Sequence, residues 1–430
     1  MELLENGNQD IEIEIESNSS SNVKPKVIES SERLKGIKEK LDKKDFILHH
    51  IPVRLSKLIG DNKHLMFNGK KIKCDYLVDL THTLMMKYFN TKRLKSNLSS
   101  LILKEKYGAY YNYYINWLIE HDIIKMTSNY CVGKKTKTFQ LSRNCAKDSI
   151  RRKTYDRVLL KKKKMNILSD NLDKTNYDWI ERDIRLKIID DLSYVEIDYK
   201  KAQSILENMD GENLAKNEFS VDAIHFGDLY THFDKYGRVH TNFTTLKSDI
   251  RNKCLTIDGE EIDELDIRNS QPLFLAILID KHNDVLNCVD DGEYNFFKDL
   301  VCNGEFYDYY MSNSDIEKKK LAKRSVYKVL FGRNLDDNDN ITFREMFPTI
   351  HDFVCKYKET YGEDNGTYKV LAYELQRSES NFLFNNIIKE IMIKYPYIKI
   401  FTVHDSIAYP SKYTHEVKEI FDKNIKSLFR

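Results

Sequence analysis

Two aspartates stand where a chain could hold metal ions. Asp266 lies in Glu264-Leu-Asp-Ile-Arg-Asn-Ser-Gln-Pro-Leu-Phe-Leu-Ala-Ile-Leu278. Leu265 and Ile267 flank it as on a strand whose aspartate faces the other way. From about Pro272 the segment becomes an apolar helix, and proline suits a first turn. Asp405 follows 139 residues later (405 minus 266), in Tyr397-Ile-Lys-Ile-Phe-Thr-Val-His-Asp-Ser-Ile-Ala-Tyr409. That stretch reads as a β-hairpin with His404-Asp405 at its turn. Carboxylates on adjacent strand tips can hold a pair of Mg²⁺ ions about 3.5–4 Å apart, and hard oxygen ligands suit Mg²⁺. Between the two lies Lys319-Lys-Leu-Ala-Lys-Arg-Ser-Val-Tyr-Lys-Val-Leu-Phe-Gly332, which reads as a helix ended by Gly332. Lys319, Lys323, Tyr327 and Phe331 recur every four residues, so two cations and two rings share one face. Such a face can grip a triphosphate and stack on its base.

In order and spacing these elements resemble the family-A DNA polymerases, over about residues 225–430. Asp266 stands where that family's motif A begins (Asp-Tyr-Ser-Gln-Ile-Glu). Ala322-Lys-Arg-Ser-Val-Tyr-Lys-Val-Leu-Phe-Gly332 is similar to its O helix (Lys-x3-Phe/Tyr-x3-Tyr-Gly). Val403-His404-Asp405-Ser406 is similar to motif C, usually Val-His-Asp-Glu. Gly237-Arg-Val-His-Thr241 resembles the family's Gly-Arg-Ile-His-Thr stretch before motif A. The resemblance implies that Asp266 and Asp405 are the catalytic metal ligands. It makes Lys319 and Lys323 the grip on the incoming triphosphate, Tyr327 the ring on its base or sugar, and Phe331 the neighbour of the templating base. Gln376, in Leu375-Gln-Arg-Ser-Glu-Ser380, and His404 then meet the primer-template minor groove, and Arg238 and Arg251 join the nucleic-acid contacts.

The sequence also departs from the family. Lys319 replaces the O-helix arginine, and Lys247-Ser-Asp-Ile-Arg251 stands in for Thr-Gly-Arg-Leu-Ser. Ser406 replaces the motif-C glutamate, as in single-subunit RNA polymerases. The glutamate that blocks a ribose 2′-OH falls at Gln271, which is as large but uncharged and can donate a hydrogen bond.

The expected reaction is template-directed extension of a DNA primer with dNTPs, using Mg²⁺. An RNA-synthesising or primase-like polymerase is the alternative within enzymes. A catalytically inactive DNA-binding replication or mobile-element protein is the alternative outside them. Retention of both aspartates, both lysines and Tyr327 speaks against an inactive site.

The elements that must position these residues follow from the rest of the chain. The resemblance implies an α+β right hand: a basic helical linker and thumb over 151–224, a palm over 225–285 and 368–430, and fingers over 286–367. Ahead of it, residues 46–150 read as a small winged-helix-like domain. Its helices lie over Ser96–Lys104 and Tyr110–Glu120, and its strands over Asp122–Met126 and Thr136–Ser142, joined through Gly133-Lys134-Lys135. Such a domain can contact duplex DNA. The basic run from Arg151 to Lys164, with Lys161, Lys162, Lys163 and Lys164 at its end, reads as a helix along a phosphate backbone.

Residues 1–45 read as a disordered tail, and over 1–30 acidic and apolar residues alternate before a serine-rich run. The tail contains Asp10-Ile11-Glu12, of the Asp-x-Glu form used by proofreading exonucleases. No folded exonuclease fits before residue 45, so none is expected.

Composition supports a largely globular chain. Of 430 residues, 69 are basic and 67 acidic, a formal +2, which excludes a uniformly basic coating protein. At 41% hydrophobic the chain can bury a sizeable core. No apolar run approaches the ~20 residues of a membrane span, and Met1-Glu-Leu-Leu-Glu5 does not read as a secretory signal. Seven cysteines without a close pair point to a reducing, cytoplasmic setting rather than disulfides or a zinc ribbon. His225, His232 and His240 are too loosely spaced for zinc, and no Walker loop is present.

Overall fold

The computed structural model describes Lys35 and residues 47–91, 96–129, 137–146, 150–155, 180–209, 211–227, 229–234, 236–362, 367–403 and 405–429. The 1–30 tail, the turn at Gly133-Lys134-Lys135, Lys161, Lys162, Lys163, Lys164 and His404 lie outside the described residues.

The fold is mixed α+β, with many helices and several small antiparallel sheets. Its apolar residues form two cores. The first includes Leu55, Leu77, Val78, Leu118 and Ile124, all fully buried. The second, from Ile180 onward, includes Phe243, Leu275, Val326, Leu375 and Ile407. The helix Gly211–His225 serves both: Phe219 packs into the first core, Val221 and Ile224 into the second. His50 Nε2 lies 2.7 Å from the buried Asp222 Oδ2 across the same join.

In the N-terminal part, the helix Cys74–Thr91 precedes a short strand Ser96–Asn97, the helices Ser100–Tyr107 and Tyr111–Glu120, and strands Ile124–Ser128 and Thr138–Leu141. The expected helix from Ser96 begins instead at Ser100, because Ser96 and Asn97 pair with Phe139 and Thr138 as an edge strand. Gly108, at a positive φ of 83°, ends the first helix by donating to the Lys104 carbonyl at 2.8 Å.

One further expectation is corrected. Arg151 to Tyr155 do not begin a basic helix. Ile150–Tyr155 is a strand paired antiparallel with Ile47–Pro52, so the first module closes on residues beyond 150. The helical reading of the 180–209 region holds for its two helices, and a strand lies between them. Between helices Arg182–Leu192 and Tyr199–Leu206, the strand Val195–Ile197 pairs with Leu255–Ile257 and joins the main sheet. In both cases pairing with a partner distant in sequence overrides local pattern.

That main sheet has five strands, in the order Phe401–Val403, Ser406–Pro410, Glu260–Asp266, Leu255–Ile257, Val195–Ile197. Asp258 and Gly259, both at positive φ (52° and 76°), form the two-residue turn that joins Leu255–Ile257 to Glu260–Asp266. Asp-Gly suits such a turn because its twist matches that of the strands. Ser406–Pro410 is buried along its whole length and is paired on both edges. A buried ion pair fixes this hairpin from behind. Lys187 Nζ donates to Asp191 at 2.6 Å and to the Ile398 carbonyl at 2.7 Å, while Asp191 accepts from the Ile400 N–H at 3.0 Å.

Candidate active site

The two sequence-selected aspartates meet. Asp266 ends its strand opposite Ser406, in an antiparallel register that also pairs Glu264 with Ala408. Asp405 occupies the turn just before Ser406, and its carbonyl accepts from the Ile267 N–H at 3.3 Å. Their carboxyl groups lie close enough for the Asp405 charge to act on Asp266. Asp266 remains open to solvent at the strand end while protein packs closely around its carboxyl. This desolvation and the facing Asp405 charge push its pKa up to about 7. Burial likewise raises that of Asp405, against the pull of Arg238 and Lys323.

The strand-to-helix transition after Asp266 depends on Asn269, which adopts a left-handed conformation (φ 52°) that asparagine tolerates. The chain thereby turns into the helix Ser270–Leu286, with Gln271 in its first turn and 2% exposed.

Opposite stands the helix Lys319–Phe331. Gly332 ends it for a steric reason: an added Cβ would lie 2.3 Å from the Lys328 carbonyl oxygen, which the Gly332 N–H already engages at 2.8 Å. Lys323 lies close enough to lower the pKa of both aspartates, and its Nζ is 5.7 Å from the Tyr307 ring centre. Tyr327 lies beside Tyr307, close enough to raise its pKa, and its ring is 5.1 Å from that of Phe331. Burial, then the Asp405 and Glu379 charges, push the Tyr327 hydroxyl up to about 12, so it stays protonated. Lys323, Tyr327 and Phe331 therefore form one face at the aspartate pair. Lys319 begins the helix farther out, where its Nζ contacts Asp308 at 3.2 Å in solvent.

The remaining sequence candidates divide. Arg238 reaches into the site, where its guanidinium donates to Glu379 Oε1 at 2.9 Å. Arg251 lies beside the site, 3.6 Å from Glu264 Oε2. Gln376 is half-buried on the helix Val370–Asn381, one turn before Glu379.

Three residues went unselected from the sequence. Tyr307 forms a buried floor under Lys323 and Tyr327. Glu264 shares the Asp266 face and accepts from Ser406 Oγ, a period-2 relation visible in the strand pattern. Glu379, 1% exposed, accepts from Arg238, Ser270 Oγ and Gln271 Nε2. Burial raises its pKa; Arg238 pulls it back down. Its only sequence signal was a place three residues after Gln376.

No known family's sequence model matches the chain, and no curated protein matches it.

Proposed function

We propose that this chain is a template-directed nucleotidyltransferase that extends a primer 3′ end with dNTPs, a compact relative of the family-A DNA polymerases. In this reading the five-stranded sheet and its helices are the palm, and the Lys319–Phe331 helix belongs to the fingers. The N-terminal order of helix, strand, two helices and paired strands supports reading that part as a winged helix, a module suited to duplex DNA.

One observation carries the reading: two carboxyls face each other at adjacent strand ends beneath a helix face that offers a lysine and a tyrosine. A carboxyl pair held on adjacent strand ends is a candidate functional site. Its hard oxygen donors fit Mg²⁺, with Asp266 and Asp405 as the holders. Mg²⁺ bound there supplies Lewis-acid stabilisation to the nucleophile and the leaving pyrophosphate. Lys323 binds the triphosphate through charge-assisted hydrogen bonds. Tyr327, protonated and half-buried, offers a ring and a hydroxyl to base and sugar, and Tyr307 lies beside it. Arg238 sets the local field that favours ionised Asp405.

A second reading, an RNA-synthesising relative, draws on Gln271, whose side chain carries no charge against a ribose. Primer extension with Mg²⁺ tests both, comparing dNTPs, rNTPs and no primer. Extension with dNTPs that is lost in Asp405→Ala supports the first reading. A preference for rNTPs supports the second. Inertness of the wild-type protein with every nucleotide refutes both.

A further inference from the structure

Glu379 stands among three donors from two distant parts of the chain. Arg238 lies 141 residues away in sequence, Ser270 109 and Gln271 108. All three donate, as an ionised carboxylate requires, because it can only accept. The contact also fixes which end of the Gln271 amide points where. Its nitrogen is spent on Glu379, and its oxygen is buried without a hydrogen-bond partner among the described residues. Gln271 stands at the start of the helix that leads away from Asp266. Glu379 is coupled electrostatically to both Asp405 and Tyr327. The pair therefore lies beside the place where an incoming nucleotide's sugar would meet Tyr327.

We infer that Glu379 is a specificity-determining residue for the sugar, acting through Gln271. This rests on the polymerase reading above. Glu379 clamps the Gln271 amide in one orientation, so that the side chain stands as a fixed obstacle to a 2′-OH, and it adds behind that amide the negative charge that glutamine lacks. Arg238 and Ser270 hold the clamp. Released from Glu379, Gln271 can rotate aside and a ribose can enter. A pocket that excludes one hydroxyl by packing gains about 10²-fold, so loosening the clamp removes about tenfold of that.

The test is the ratio of kcat/KM for a dNTP to that for the matching rNTP, in wild type, Glu379→Gln, Gln271→Ala and the double variant. A general loss of fold or activity cancels in this ratio. We expect it to fall about tenfold in Glu379→Gln, and Glu379→Gln to cause no further fall when added to Gln271→Ala, since both act through one amide. Ser270→Ala, which removes one donor and leaves the clamp partly formed, gives a smaller fall in the same direction, and it serves if Glu379→Gln does not fold. An unchanged ratio in Glu379→Gln or Ser270→Ala, with wild type discriminating, overturns the inference while the polymerase reading stands. Additive effects in the double variant overturn the route through Gln271. A wild-type protein that incorporates no nucleotide overturns both.

Discussion

Replacing Asp266 by asparagine should abolish primer extension and yet stabilise the metal-free protein above neutral pH. The two effects share one cause. In the folded chain Asp266 faces Asp405 and ionises near pH 7, against an ordinary value of 3.8. The native state thus binds a proton that the unfolded chain has released. Stability from this group is present below pH 4 and is lost as the pH rises through 4 to 7. At full strength the difference corresponds to about 4 kcal/mol. Solvent access to Asp266 screens it to about 1 kcal/mol, or roughly 2–4 °C in melting temperature. Asparagine removes the second charge beside Asp405, so the variant should melt higher than wild type at pH 8 in chelator. The gain should vanish at pH 4 and shrink when excess Mg²⁺ is added. Activity should fall by about 10³-fold or more, the several kcal/mol that a lost metal ligand costs the transition state. Binding to a primer-template should remain near wild type, since lysine and arginine contacts to phosphates dominate affinity. Calorimetry at the two pH values, with extension and anisotropy assays, checks each part. A variant that melts at or below wild type at pH 8, or that keeps full extension, would refute the shared-charge reasoning.

Other outcomes follow from the same geometry. Lys187→Ala leaves Asp191 buried without its hydrogen-bonded cation behind the Asp405 hairpin, and should cost about 3–5 kcal/mol in denaturant unfolding. Lys323→Ala should raise KM for dNTPs. It should also move the acidic limb of the kcat/KM–pH profile upward, because Lys323 now holds both aspartate pKa values down. Tyr327→Phe should increase rejection of dideoxynucleotides, which the wild-type hydroxyl should let the site accept readily; a wild type that already rejects them would remove Tyr327 from the sugar. Wild type should prefer dNTPs yet incorporate rNTPs measurably, and it should leave a mismatched primer 3′ end undegraded in Mg²⁺.

The local chemistry of this protein was written in its sequence. Alternation around Asp266 and the return strand after Asp405 set a strand end and a hairpin, because successive side chains of a strand alternate between its faces. The four-residue recurrence of Lys319, Lys323, Tyr327 and Phe331 set one helical face, because residues three and four apart are neighbours there. Each of these depends on neighbours within a few positions, so periodicity and turn chemistry suffice to read it. Partnership across the chain does not follow from such patterns. Ser96-Asn97 and Arg151–Tyr155 became strands through distant partners, and Val195–Ile197 joined the main sheet rather than a helical layer. Glu379 looked like any helical glutamate until folding removed it from water and left it three donors that chain segments 108 to 141 residues away had to supply. A carboxylate tolerates burial only where such donors converge. That convergence belongs to the tertiary structure alone, and with it the orientation of Gln271 at the candidate site.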